Sequence, residues 1–270
     1  MSSSAPPARV QVLASRAFAV LLLLGACVDQ AAEHRVRANA FLRGGDAAAA
    51  LKECDDGLGQ KKGNVPLLIL RGKALFELDR LDDARDAYQA ALDADRAEGH
   101  DGHALAEAYL GLAMAASRQK DWPAARKHFE TLVGYNPKDG SSHLNVAKAC
   151  LELKDLDCAV HHAEEAGRLR GNEEPVLYAL GTIYLAAGKP KEAELTFQHI
   201  CEAAPGVASC PYGLALVAAR AGDRKTALTQ LDEAVRRKLP NPDHIAADPG
   251  FASIKDDPEF QRIAARALHP

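Results

Sequence analysis

Six alanines recur along the chain at positions 50, 84, 125, 159, 193 and 227, so that successive intervals are 34, 41, 34, 34 and 34 residues. The same neighbours return with them: Gly45-Asp46 before Ala50, Leu81 before Ala84, Asp121-Trp122 before Ala125, Asp155-Leu156 before Ala159, Gly188 before Ala193, and Gly222-Asp223 before Ala227. A fixed period of this length means one supersecondary unit repeated, each burying its apolar face only by stacking on the next. The 47% hydrophobic content carries only 5% aromatics. The apolar share is therefore mostly alanine and leucine, which favours helices over strands. The one long interval is explained by seven polar residues, 96–102, "RAEGHDG", inserted between the second and third units.

A 34-residue period with small residues at fixed places resembles the tetratricopeptide repeat (TPR) family. The fifth unit carries the resemblance best, with Leu180-Gly181, Tyr184, Gly188, Ala193, Phe197 and Pro205 where that family has Leu-Gly, Tyr, Gly, Ala, Phe and Pro. The third adds Tyr109, Leu112, Phe129 and Pro137, and the second Gly72, Tyr88 and Ala91. The first unit departs most, having Arg37 and Cys54 at places usually apolar or aromatic. The resemblance implies an all-α fold, a right-handed superhelix of about six helix-turn-helix repeats over residues 31–240. Small residues such as Gly72, Gly181, Ala50 and Ala84 would let backbones approach, while Phe129 and Phe197 fill between hairpins. Residues 241–270 form a C-terminal cap, with Asp257-Pro258 as N-cap and N1 of a last helix turning Phe260, Ile263 and Leu268 inward.

The N-terminus reads separately. Residues 17–26 are apolar, about half of the roughly 20 residues a membrane span requires. They follow a segment with Arg9, Arg16 and no acidic residue, the layout of a secretory signal peptide. Leu24-Gly25-Ala26-Cys27 resembles the lipobox of bacterial lipoproteins. It implies removal of residues 1–26, acylation of Cys27, and residues 27–30 as a lipid-attached linker. Val28, not Asp, follows the cysteine, which resembles outer-membrane sorting. The expected location is the bacterial cell envelope, facing the periplasm.

In the TPR family the first helix of each hairpin lines a concave groove. Counted from the alanines, its groove columns here hold Ile69, Leu110, Leu144, Tyr178 and Tyr212, then Phe76, Leu151 and Leu185, then Met114 and Leu216. One reading is an apolar, tyrosine-bearing stripe for an apolar peptide or amphipathic helix. The other is that a narrow superhelix buries these residues, or that the C-terminal helix folds back on them. The carboxylate clamp of chaperone-binding TPRs is broken: Arg35 and Asn39 imitate its first pair, but Leu70, Glu107 and Gly111 hold the remaining places.

Six cysteines in an exported chain invite pairing. Cys27 is taken by lipid. Cys150 and Cys158 flank the turn of the fourth hairpin, and Cys201 and Cys210 flank the next inter-repeat turn, both within disulfide reach in an oxidising compartment. The alternative is that all four are small buried hydrophobes. Cys54 is left over, buried and inert. His100 and His103 fall in the insertion, and His161-His162 with Glu164 and Glu165 fall on the solvated side of a helix; neither group reads as a metal site. No nucleophile–base set, phosphate-binding glycine loop or CxxC pair is present, so no enzyme activity, cofactor or small-molecule substrate is expected. Lys and Arg number 33 against 37 Asp and Glu, a net charge of −4 without a basic footprint, which argues against nucleic acid. The expectation is a non-enzymatic scaffold that binds a protein or peptide through its concave face. Two sharper versions are a pilotin-like assembly factor for a type IV pilus or secretion pore, and an adaptor for cell-wall hydrolases.

Overall fold

The computed structural model describes residues 30–98, 105–171 and 173–268. Residues 1–26, which the sequence reads as a signal peptide, and Cys27, His100 and His103 lie outside the described residues. Among the described residues thirteen α-helices follow one another: α1 Gln30–Arg43, α2 Ala47–Gln60, α3 Val65–Glu77, α4 Leu81–Ala97, α5 Ala106–Arg118, α6 Trp122–Tyr135, α7 Gly140–Glu152, α8 Leu156–Arg170, α9 Glu174–Ala186, α10 Pro190–Ala203, α11 Ser209–Arg220, α12 Arg224–Arg236 and α13 Pro258–Leu268. Two 3₁₀ turns, Pro242–Ala247 and Pro249–Phe251, separate the last two. No strand occurs among the described residues. The chain divides into two compact units, residues 1–115 and 116–270.

The turn inside each hairpin has one geometry, repeated six times. Gly45, Asp79, Lys120, Lys154, Gly188 and Gly222 all lie in the left-handed region, with φ between 59° and 78°. In each, the next residue's N–H reaches back five residues to close the helix end, as in Asp46 N to Phe41 O at 2.9 Å and Asp155 N to Cys150 O at 2.9 Å. This is the Schellman stop, in which a left-handed residue lets freed carbonyls find donors. The residue after it starts the next helix. Asp46, Asp121, Asp155 and Asp223 each accept a hydrogen bond from the backbone N–H three residues on, at 2.9–3.2 Å, filling one of the orphan donors of the new N-terminus. A left-handed stop followed at once by an aspartate cap thus folds the chain back in four of the six hairpins. Arg80 and Lys189 hold the cap position without a side-chain bond.

Five residues beyond each stop sits the recurring alanine, and all six are 0% exposed. A methyl group there lets the helices of a hairpin close on one another. Between hairpins the fit is ring against backbone. In the first unit the Tyr88 ring is held between Gly72 and Gly111, where an added Cβ would stand 2.6 and 2.2 Å from ring carbons. In the second, Phe197 is held the same way between Gly181 and Gly213, again at 2.6 and 2.2 Å. Only glycine leaves room for an aromatic ring at such an approach.

The tail closes the second unit. The Pro249–Phe251 turn packs on α11, and α13 packs on α12. Ile245, Phe251, Phe260 and Ile263 are buried with Tyr212, Leu216 and Leu231 in one cluster. Arg224 pairs with Asp257, and Asp232 binds both Arg236 and Arg266. Burial works to raise the Asp232 pKa, but the two guanidiniums hold it below the ordinary carboxylate range.

Candidate functional site

The columns expected to face a groove meet different fates in the two units. In the first, a cavity of about 390 Å³ opens between α1, α3 and α5, lined by Leu42, Lys73, Phe76, Glu77, Leu110 and Met114 over the Tyr88 ring. Leu110 and Met114 are 38% and 44% exposed, large apolar side chains held toward solvent on helical residues. Lys73 Nζ bonds Glu107 Oε2 at 3.0 Å across α3 and α5, while Glu77 stands exposed on the same rim. An apolar floor with a few charges at its edge is the build of a peptide-receiving cleft. Phe76, Leu110 and Met114 lie together here. Ile69 does not: it is buried in the cluster that holds Leu68, Tyr88 and Leu112, so it belongs to the core.

In the second unit the groove residues are covered. Tyr212 is 1% exposed: its hydroxyl donates to Asp248 Oδ2 at 2.6 Å, and its ring meets Phe251 edge-on at a centroid distance of 5.5 Å. Burial first, then that hydrogen bond, pushes the Tyr212 phenol far up. Leu216 lies beneath Gly250, whose own Cβ position would sit 2.4 Å from it, and Ser253 Oγ donates to Ala219 O at 2.8 Å. The chain's own tail therefore occupies these columns, so Tyr212 and Leu216 are not a free binding surface. Leu185 is buried in the same cluster, and Leu144 is buried with Ala166 and Val176. Leu151 and Tyr178 are half-buried, and the Tyr178 ring leans on Phe197 at 5.8 Å.

Cys150 and Cys158 form a disulfide with Cα atoms 5.8 Å apart, joining the end of α7 to the start of α8. Cys201 and Cys210 form another at 5.3 Å, joining α10 to α11 across the inter-repeat turn. Asp155 stands near the first pair of sulfurs, but those sulfurs are bonded to each other. Asp155 itself caps α8 and takes an ion pair from Arg126 at 2.8 Å. Cys54 is a free thiol, buried, with its pKa pushed up to about 12 chiefly by desolvation.

One histidine departs from the solvated position expected for it. His161 and Glu164 are exposed, but His162 turns inward to meet the buried His143, Nδ1 to Nδ1 at 3.0 Å. His143 Nε2 lies 3.2 Å from Pro137 O, an acceptor only. A neutral His143 therefore donates through Nε2, which leaves its Nδ1 to accept from His162. The ring centroids are 5.1 Å apart. Burial, followed by the neighbouring His143 and His161, lowers the His162 pKa. His143 lies 19 residues from its partner in sequence; folding the chain at the Lys154 stop is the one operation that brings the two numbers opposite.

Family models described as tetratricopeptide repeat match residues 66–133, 110–173, 174–206 and 212–233. No curated protein matches the chain. Among solved structures, a tetratricopeptide repeat protein from Parabacteroides merdae is similar with a TM-score of 0.73 at 16% identity, over 89% of this chain and 91% of that one. PilW, described as a widely conserved type IV pilus biogenesis factor, is similar with a TM-score of 0.63 at 14% identity, over 83% and 97%. YrrB, described as a TPR protein with an unusual peptide-binding site, is similar with a TM-score of 0.56 at 21% identity, over 80% and 98%. At such identities the likeness is one of fold. Taken with the six identical stops and the six buried alanines, the models that span residues 66–233 identify the chain as a member of the tetratricopeptide repeat family.

Proposed function

We propose that the protein is a non-enzymatic scaffold, tethered to the bacterial envelope by lipid at Cys27, that takes a partner protein or peptide on the concave face of its first unit. The observation that carries this reading is the open cavity floored by Phe76, Leu110 and Met114, the part of the groove columns that the chain leaves uncovered. The lipobox-like Leu24–Cys27 supports the tether, and no described helix is long and apolar enough to cross a membrane. A lipid at one end would hold the cleft at the membrane and raise the local concentration of whatever binds it.

A photo-crosslinking residue in place of Met114, compared with one at Leu195 (67% exposed on α10), tests the reading in living cells. A discrete adduct is expected from position 114 alone, abolished by Leu110→Asp. Equal adducts from both positions, or none from 114, would sink the groove assignment. Cys27→Ser should release the protein from membranes, and unchanged fractionation would remove the tether. A second reading, a pilotin-like assembly factor, is favoured by the likeness to PilW and to PilF of Pseudomonas aeruginosa, each covered over 97% of its length. Recovery of an outer-membrane pore subunit in the position-114 adduct would select it.

A further inference from the structure

The far end of the second unit holds a cleft unrelated to the concave columns. About 680 Å³ in volume, it is walled by the last turn of α12, the connector through Pro242 and the last turn of α13. Its apolar lining is Val235, Leu239, Pro242 and Ala267, and its charged lining is Arg236, Lys238 and Arg266. No carboxylate lines it among the described residues. The acid that Arg236 and Arg266 share, Asp232, lines the neighbouring depression, where Glu233 also pairs with Arg236 at 3.8 Å, so the excess positive charge of the cleft rests chiefly on Lys238 and Arg266. Lys238 takes part in no ion pair among the described residues, and its backbone sits at φ 59° just beyond α12, which fixes where the side chain leaves the surface. Leu268, half-exposed at 49%, extends the apolar surface past Ala267.

The two guanidiniums are already oriented by Asp232. Each fork keeps donors beyond those it gives to Asp232 and, for Arg236, to Glu233. Preset guanidinium forks match a planar carboxylate, and beside an apolar wall they discriminate for an acid carried next to a bulky side chain. The volume falls in the range that receives a few side chains.

We propose that this cleft is a docking site for a partner protein's acidic segment, in which Asp or Glu stands beside a large apolar residue. It is independent of the concave-face reading, and the two fail separately. A random heptapeptide library displayed on phage is panned on the full chain carrying Cys27→Ser, with counter-selection on the same chain bearing Lys238→Glu. Enriched peptides should combine Asp or Glu with Leu, Ile, Phe or Trp. A synthetic peptide of the consensus should bind at least tenfold more weakly to Lys238→Glu and to Arg266→Gln, and more weakly in 0.5 M salt, while Leu110→Asp leaves it unchanged. If Lys238→Glu melts early, Lys238→Gln takes its place. Absence of Lys238-dependent clones, or a neutral or basic consensus, would overturn the proposal. So would Lys238-dependent sedimentation with phosphatidylglycerol vesicles, which would make the surface a lipid contact.

Discussion

The six helix stops allow a sharp test of what holds the hairpins together. Gly188 and Gly206 both lie at the surface of the second unit, and a Cβ added to either meets nothing within 4 Å. They differ in backbone: Gly188 is left-handed at φ 72°, whereas Gly206 lies outside that region. An L-residue in the left-handed conformation is disfavoured by about 1–2 kcal/mol. Replacing glycine by alanine also narrows the unfolded ensemble, stabilising by about 0.4–1 kcal/mol where the native backbone allows it. Gly188→Ala should therefore lose about 1 kcal/mol and Gly206→Ala should gain about 0.5 kcal/mol. The reverse change, Lys154→Gly at φ 61°, should gain about 0.5–1 kcal/mol, because that exposed lysine makes no ion pair among the described residues. Urea unfolding followed by circular dichroism measures all three against the parent. The spread of about 1.5 kcal/mol between the two alanine variants corresponds to roughly 3–6 °C in melting temperature for a chain of this size. Equal effects at Gly188 and Gly206, or a loss in Lys154→Gly, would refute the claim that backbone handedness sets these turns.

Three further outcomes are expected. Gly213→Ala places a methyl 2.2 Å from a carbon of the fully buried Phe197 ring and should destabilise by about 2–3 kcal/mol; the loss should shrink in a Phe197→Leu background, and additivity of the two changes would contradict the clasp. Tyr212→Phe keeps the ring against Phe251 but removes the bond to Asp248, so unfolding should ease by about 1–2 kcal/mol, and an unchanged urea midpoint would show that this bond does not latch the tail. His162 has its pKa lowered in the fold, so below about pH 6.5 the unfolded chain binds the extra proton first; stability should be complete above that pH and fall as the pH drops below it, with His162→Gln showing a shallower decline. Matching slopes in parent and variant would remove the histidine pair as the cause.

The repeat was legible because the alanine spacing and the stop spacing are the same count. Every interval between recurring alanines equals the interval between left-handed residues five positions earlier. The groove was half legible. Helical periodicity identifies Leu110 and Tyr212 as equivalent, but what covers each depends on contacts remote in sequence. The buried positions of the tail, Phe251, Phe260 and Ile263, show that it must pack on something, yet no pattern in it names α11 and α12. The His143–His162 contact was missed for a related reason. His161-His162 was read along one helix, where charged neighbours imply solvent, whereas its inward ring is set by the hairpin partner. The basic cleft beside Lys238 joins three separate segments and has no linear signature.

The two disulfides have a consequence for the chain under load. One bridges the helices of a single hairpin and the other bridges successive hairpins, closing separations of 8 and 9 residues. At roughly 3.5 Å per extended residue, less the 5.8 and 5.3 Å that the bridges themselves span, each bond withholds about 25 Å of contour from a chain pulled at its ends. Both lie in the second unit, so an oxidised molecule stretched by optical tweezers should yield its first unit at full length and its second about 50 Å short. Reductant should restore the difference in two steps. A chain pulled at its two ends would thereby have a tear-resistant half and an extensible one.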